Sequence, residues 1–141
     1  MTADDVINAA RSQVGVNFMH QGRCPGLALD CAGLGAFVAS SLGVEYHEWP
    51  GYGRMPYEGL LESVLDNQPC LIVVSELKPG DLLLLRIGRE PQHIAIFTGS
   101  TLIHSFEKAG GVCEHELDDY WRRRIVRIYR FKKLMPAEGP L

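Results

Sequence analysis

Residues 82–106 read LLLLRIGREPQHIAIFTGSTLIHSF, and this stretch decides the fold. It holds three short apolar runs, 82–87, 93–97 and 102–106, parted by the turn signals G-R-E-P-Q at 88–92 and T-G-S at 98–100. Linkers this short join antiparallel neighbours, because a parallel crossover needs about a dozen residues or more. The four leucines 82–85 read as a buried strand. Working outward, LIVV (71–74) precedes the stretch across a K-P-G-D turn at 78–81, while VCEHEL (112–117) and IVRIYRF (125–131) follow it.

Upstream the periodicity changes. Thr2 to Val14 reads as a helix: Thr2 and Asp5 have capping-box spacing, and Val6, Ala10 and Val14 recur every four residues until Gly15 stops it. Residues 15–29 read as loop, punctuated by Gly22, Pro25 and Gly26. Asp30 to Leu42 reads as a second helix with Cys31, Leu34, Val38 and Leu42 as its stripe. Its two glycines, with Ala32, predict close packing against a flat surface. Residues 44–56 (VEYHEWPGYGRMP) form a long irregular segment rich in aromatics, and loops of that kind often carry function. Pro56 suits the first position of a third helix that buries Leu60, Leu61, Val64 and Leu65. Helices followed by hairpin-linked strands predict an α+β domain with helices packed on a central antiparallel sheet.

The 141 residues are 46% apolar and 22% charged, which suits a single domain over 1–141, with 134–141 read as a flexible tail. No apolar run is long enough to span a membrane. The N-terminal MTADDVINAA lacks the apolar segment of a secretory signal, so cytoplasmic synthesis and free thiols are expected for the four cysteines. The net charge of −3 argues against a nucleic-acid partner, although seven of the 14 basic residues fall within 121–133, which has no acidic residue. The strand pattern there predicts arginines at a sheet margin facing an acidic partner or the anionic cell wall.

Cys31 opens the second helix just after Asp30. Backbone N–H groups and the helix dipole at such a position favour a thiolate and can receive an oxyanion. The plain alternative is a small buried residue on a helix face. A nucleophilic thiol needs a base, and the chain offers His20, His47, His93, His104 and His115. His93 opens one strand and His104 lies in the next, so antiparallel pairing sets them side by side as base and orienting residue. The competing reading is two half-buried sheet residues.

Five segments, in order, resemble the NlpC/P60 cysteine peptidases. GVNFMHQG (15–22) is similar to their G-x-P-Y-x-x-G-G, DCAGL (30–34) to D-C-S-G-L, LKPGDLLLL (77–85) to the P-G-D-L strand, and HIAIFTG (93–99) to H-V-G-I-Y-x-G. LIHS (102–105) is similar to the strand that carries the third polar residue. The resemblance implies a papain-like fold, with Cys31 as nucleophile, His93 as general base and His104 as the orienting residue. It implies hydrolysis of peptidoglycan stem peptides, commonly between D-glutamate and the diamino acid, without a cofactor or metal. H-Q-G (20–22) and WRRRIVRIYRF (121–131) resemble the branch found in phage tails and gene transfer agents, which implies phage-tail proteins as further partners and incorporation in a tail particle. The chain departs from the pattern at Asn17 for Pro, Phe18 for Tyr and Ala32 for Ser. Phe18 removes a hydroxyl that could serve the oxyanion hole.

Phe18, His20, Asp30 and Trp49 are candidate substrate contacts. His20 is weighed against an exposed loop histidine, Asp30 against a helix cap, and Trp49 in an aromatic lid against a loop pinned in an apolar dent. CEHE (113–116) lacks the H-E-x-x-H spacing of a helical metal site, so no metal is expected there. Two other functions stay open: a structural or adaptor component of a phage-like tail tip with little activity, motivated by Phe18 and Ala32, and a cysteine/histidine metal-binding protein.

Overall fold

The structure, a computed structural model, describes residues 1–48, 59–88 and 90–135. Helix α1 (Ala3–Arg11) begins at the capping box read from the sequence: Thr2 accepts from the Asp5 N–H, and the Asp5 carboxylate accepts from the Thr2 N–H at 2.8 Å. It ends three residues early, leaving Val14 exposed, and the chain turns at Gly15, whose φ of 94° suits glycine. A hairpin of β1 (Arg23–Cys24) and β2 (Ala28–Leu29) follows within the segment expected to be loop. Its two-residue strands are too short to register as periodicity.

Helix α2 (Cys31–Ser41) starts at its Asp30 cap, and α3 (Leu60–Asp66) buries Leu61 and Leu65. Pro56 lies outside the described residues. The close packing expected of α2 is present. A Cβ on Gly35 would meet Ile94 Cδ1 at 2.9 Å, and one on Gly33 would collide with the carbonyl oxygen of Gly22.

The strands are β3 (Leu71–Val74), β4 (Leu82–Ile87), β5 (Glu90–Phe97), β6 (Thr101–Phe106), β7 (Gly111–Glu116) and β8 (Ile125–Phe131), in the order β3-β8-β4-β5-β6-β7 with every pairing antiparallel. β5 begins inside the stretch expected to be a turn, so the β4–β5 hairpin is tighter than the sequence suggested.

The leucines 82–85 are buried on alternating faces of the sheet. Leu82 and Leu84 join Val6, Ala10, Leu34, Val38, Ile94, Ile96 and Ile103 beneath α1 and α2. Leu83 and Leu85 join Ala95, Phe97, Leu102, Leu117 and Trp121 on the opposite face. Each buried leucine contributes roughly 1.5–3 kcal/mol relative to exposure. The second core is closed by α4 (Asp119–Arg122), a single turn capped by Asp118 that carries Trp121 inward. Sequence reading did not find α4, because the run of arginines after Trp121 hides its one apolar contact.

The basic stretch is largely engaged within the chain. Arg130 Nε and Nη2 clamp the buried Asp81 carboxylate at 2.7 and 2.8 Å. Arg127 pairs with Glu62 and Asp66, both at 3.0 Å, and Arg124 lies 3.6 Å over the Tyr120 ring. The strand expected at 125–131 is present, but much of its charge faces acidic groups of the same chain. Arg122, Arg123, Lys132 and Lys133 are exposed. Lys132–Leu134 form a 3₁₀ turn whose Leu134 packs against the main core. Among the described residues no helix is long and apolar enough to cross a membrane.

Candidate active site

Three anchors fix the start of α2. The Asp30 carboxylate accepts from the Gly33 N–H at 2.7 Å, from the Gln21 N–H at 2.8 Å and from Arg23 Nη1 at 2.9 Å. These bonds make Asp30 a cap and a clamp on the preceding loop. Ser105 Oγ on β6 donates to the Leu29 carbonyl at 2.6 Å, tying the residue before the cap to the sheet. The Cys31 sulfur then meets the N–H groups of Ile94, the residue after His93, and of Ala32. The β5–β6 ladder reaches only from Phe97↔Leu102 to Ile96↔Ile103, so the first half of β5 is not paired with β6. The helix start carrying Cys31 is thus bonded to both strands where their ladder has ended.

Burial, followed by the Asp30 carboxylate, pushes the Cys31 thiol up to about 12. The N–H groups of Ile94 and Ala32 and the Arg23 charge oppose this without overcoming it. The helix start therefore does not by itself yield the thiolate expected from the sequence. Desolvation and a like charge one residue away set the direction of the shift.

His93 and His104 are brought together as expected. His93 Nε2 and His104 Nδ1 lie 2.6 Å apart, and both residues are buried. Burial holds the His93 ring down to about 4, and burial with the neighbouring imidazoles holds His104 down to about 2, so both are neutral near pH 7. The contacts do not end there. His104 Nε2 lies 2.7 Å from His115 Nε2 on β7, and His115 Nδ1 lies 2.9 Å from the Glu116 carbonyl. Phe106 stacks on His104 with ring centroids 5.2 Å apart, and Trp121 meets it edge-on at 5.1 Å.

The other candidates are more scattered. Phe18 is half-buried, and its N–H donates to the Gly110 carbonyl at 2.9 Å. His20 is half-buried in the same segment, and Trp49 lies outside the described residues. A cavity between α2 and α3 is lined by Ala32, Gly35, Ile94, Leu61 and Leu65 among others, but by neither Cys31 nor His93.

Sequence reading missed the convergence on β7. Cys113 pairs with His104 across the β6–β7 ladder, and the ligand atoms of His104, Cys113 and His115 all lie within 4.8 Å of one another. In a strand, 113 and 115 share a face, and only the register adds the third group. All four cysteines are free thiols.

The NlpC/P60 family model matches residues 15–130. Among solved structures, an NlpC/P60 family protein from Bacillus cereus ATCC 10987 superposes with a TM-score of 0.70 at 21% identity, over 93% of this chain and 40% of that one. NlpC1 from Trichomonas vaginalis gives 0.65 at 16%, over 92% and 44%. The NlpC/p60 domain of the peptidoglycan hydrolase SagA gives 0.61 at 21%, over 83% and 91%. The chain thus spans less than half of the first two structures, and at these identities the likeness shows the fold. No curated protein matches. The mixed helix and antiparallel-sheet architecture agrees with the papain-like fold expected from the sequence, and by its family match the chain belongs to the NlpC/P60 family.

Proposed function

We propose that the protein is a thiol peptidase that cleaves peptidoglycan stem peptides at the bond between D-glutamate and the diamino acid. The observation that carries this reading is the 2.6 Å His93–His104 bond, together with the Cys31 sulfur at the start of α2 meeting the N–H of Ile94, the residue after His93. Cys31 Sγ attacks the amide carbonyl carbon as His93 takes the thiol proton. The backbone N–H groups at the start of α2 receive the oxyanion. His93 returns the proton to the leaving amine, and the C–N bond breaks to leave a thioester on Cys31. Water, deprotonated by His93, then releases the acid and restores the thiol. Because resting Cys31 is a neutral thiol, His93 acts as a general base during attack rather than as the standing partner of a thiolate. SagA, described as a peptidoglycan hydrolase, supports the substrate class. The scissile bond comes from the motif resemblance.

The test is digestion of muropeptides of defined structure with mass analysis of the fragments. A disaccharide dipeptide ending in D-glutamate, with a free peptide beginning at the diamino acid, is expected. Cleavage only at another bond overturns the assigned specificity. Incorporation in a phage-like tail belongs to the same proposal and rests on H-Q-G (20–22) and residues 121–131. Mass spectrometry of purified particles tests it, and absence from them removes it. The adaptor reading is favoured by two departures from the motif, the hydroxyl-free Phe18 and Ala32. Intact muropeptides after prolonged incubation would select that reading.

A further inference from the structure

We propose that His115 is a fourth, positioning member of the site, and that its bond to the Glu116 carbonyl fixes which nitrogen of His104 and of His93 carries the proton. This inference rests on the peptidase reading for its consequence, but not for its geometry. The Glu116 carbonyl can only accept, so His115 Nδ1, 2.9 Å away, carries a hydrogen. In the neutral ring His115 Nε2 is then an acceptor. His104 Nε2, 2.7 Å from it, must donate, which leaves His104 Nδ1 as an acceptor. His93 Nε2, 2.6 Å from that atom, must donate in turn. The remaining lone pair of His93 falls on Nδ1, the nitrogen left to take a thiol proton.

Water cannot substitute easily along this chain. His104 is fully buried, Phe106 stacks on it, and Trp121 meets both His104 and His115 with centroids 5.1 and 5.2 Å away. A buried ring nitrogen without a partner is costly, so each ring takes the tautomer that its neighbour permits. The lowered proton affinity of His93 and His104 agrees with neutral rings.

A zinc ion on His104, Cys113 and His115 is the competing use of the same groups. The separation of the two ring nitrogens favours the hydrogen bond. At 2.7 Å it has hydrogen-bond length, whereas two nitrogens on a tetrahedral zinc stand about 3.3 Å apart at ordinary Zn–N distances.

The test reads tautomers directly, by long-range ¹⁵N–¹H correlation NMR of the wild-type protein. Expected are Nε2–H on His93 and His104 and Nδ1–H on His115. A proton on His115 Nε2 with Nδ1 bare, or zinc retained at one equivalent after dialysis, overturns the proposal. Kinetics supply the second readout. His115→Leu is expected to lower kcat at least about tenfold with KM unchanged, since a wrong tautomer idles the base. His115→Gln, whose Oε1 can still accept from His104, is expected to stay within about threefold of wild type. Wild-type kcat in His115→Leu overturns the proposal. If the tautomers are as expected but no stem peptide is cleaved, the hydrogen-bond chain stands and the peptidase reading falls.

Discussion

Phe18 offers a sharp residue-scale test. Its ring supplies no hydrogen-bond donor, and one oxyanion donor is typically worth about 10²–10³ in rate. Phe18→Tyr is therefore expected to raise kcat by tenfold or more at constant KM in a stem-peptide assay, and an unchanged kcat would show that the hydroxyl has no place there. The buried imidazoles make a second prediction. His93 is held near 4 and His104 near 2, against an ordinary value of 6.5. Below about pH 6.5 the unfolded chain binds protons that the folded rings refuse. Stability is thus full above 6.5 and falls as pH drops toward 4, each ring steepening the slope by up to about 1.4 kcal/mol per pH unit. Urea midpoints measured from pH 7 to 4.5 check this, and a flat profile contradicts it. Cys31, His93 and His104 were legible as candidates because Cys31 follows a helix cap and the two histidines fall in adjacent expected strands joined by a short turn. The charge state of Cys31 was not legible, since it depends on burial and on the geometry of Asp30. Exposed Cys24, not half-buried Cys31, is the thiol a small alkylating reagent meets first.

At the scale of elements, the register between helix and loop matters most. Gly33 faces the Gly22 carbonyl so closely that a Cβ cannot fit, and Gly22 itself has backbone oxygens of Met19 and Ala28 within 2.9 Å of where its own Cβ would stand. Gly33→Ala is expected to cost about 2 kcal/mol by overpacking, measured by chemical denaturation, and to loosen the Asp30–Gln21 contact. A variant as stable as wild type would mean that the loop moves aside without penalty. The glycines of α2 announced this packing in the sequence, as did its stripe and its Asp30 cap. The β1–β2 hairpin and α4 were illegible because two residues per strand, or one apolar residue per turn, carry no period. His115 was visible as a histidine but not as a neighbour of His104, because pairing across β6 and β7 sets that contact.

Across the whole molecule, the late strand β8 lies between β3 and β4 and is locked there by Arg130 on Asp81. Asp81 is fully buried, and it also accepts from the Lys78 N–H at 2.8 Å, so the P-G-D turn and the C-terminal strand share one ion pair. Arg130→Met leaves that carboxylate buried without its cation and is expected to cost about 3–5 kcal/mol. A loss below about 1 kcal/mol in denaturant titration would contradict this. The order of α1 to α3 and of β3 to β8 was legible from periodicity and turn signals. The insertion of β8 was not, because strand order depends on long-range pairing. The central claim is that Cys31 carries the chemistry. Its most direct test is the initial rate of stem-peptide hydrolysis by wild type and by Cys31→Ala, with the melting temperature of each recorded. Cleavage by wild type, a loss of at least about 10³-fold in Cys31→Ala and nearly equal melting temperatures are expected. Undiminished cleavage by Cys31→Ala, or a wild-type protein that leaves every stem peptide intact, would contradict the claim.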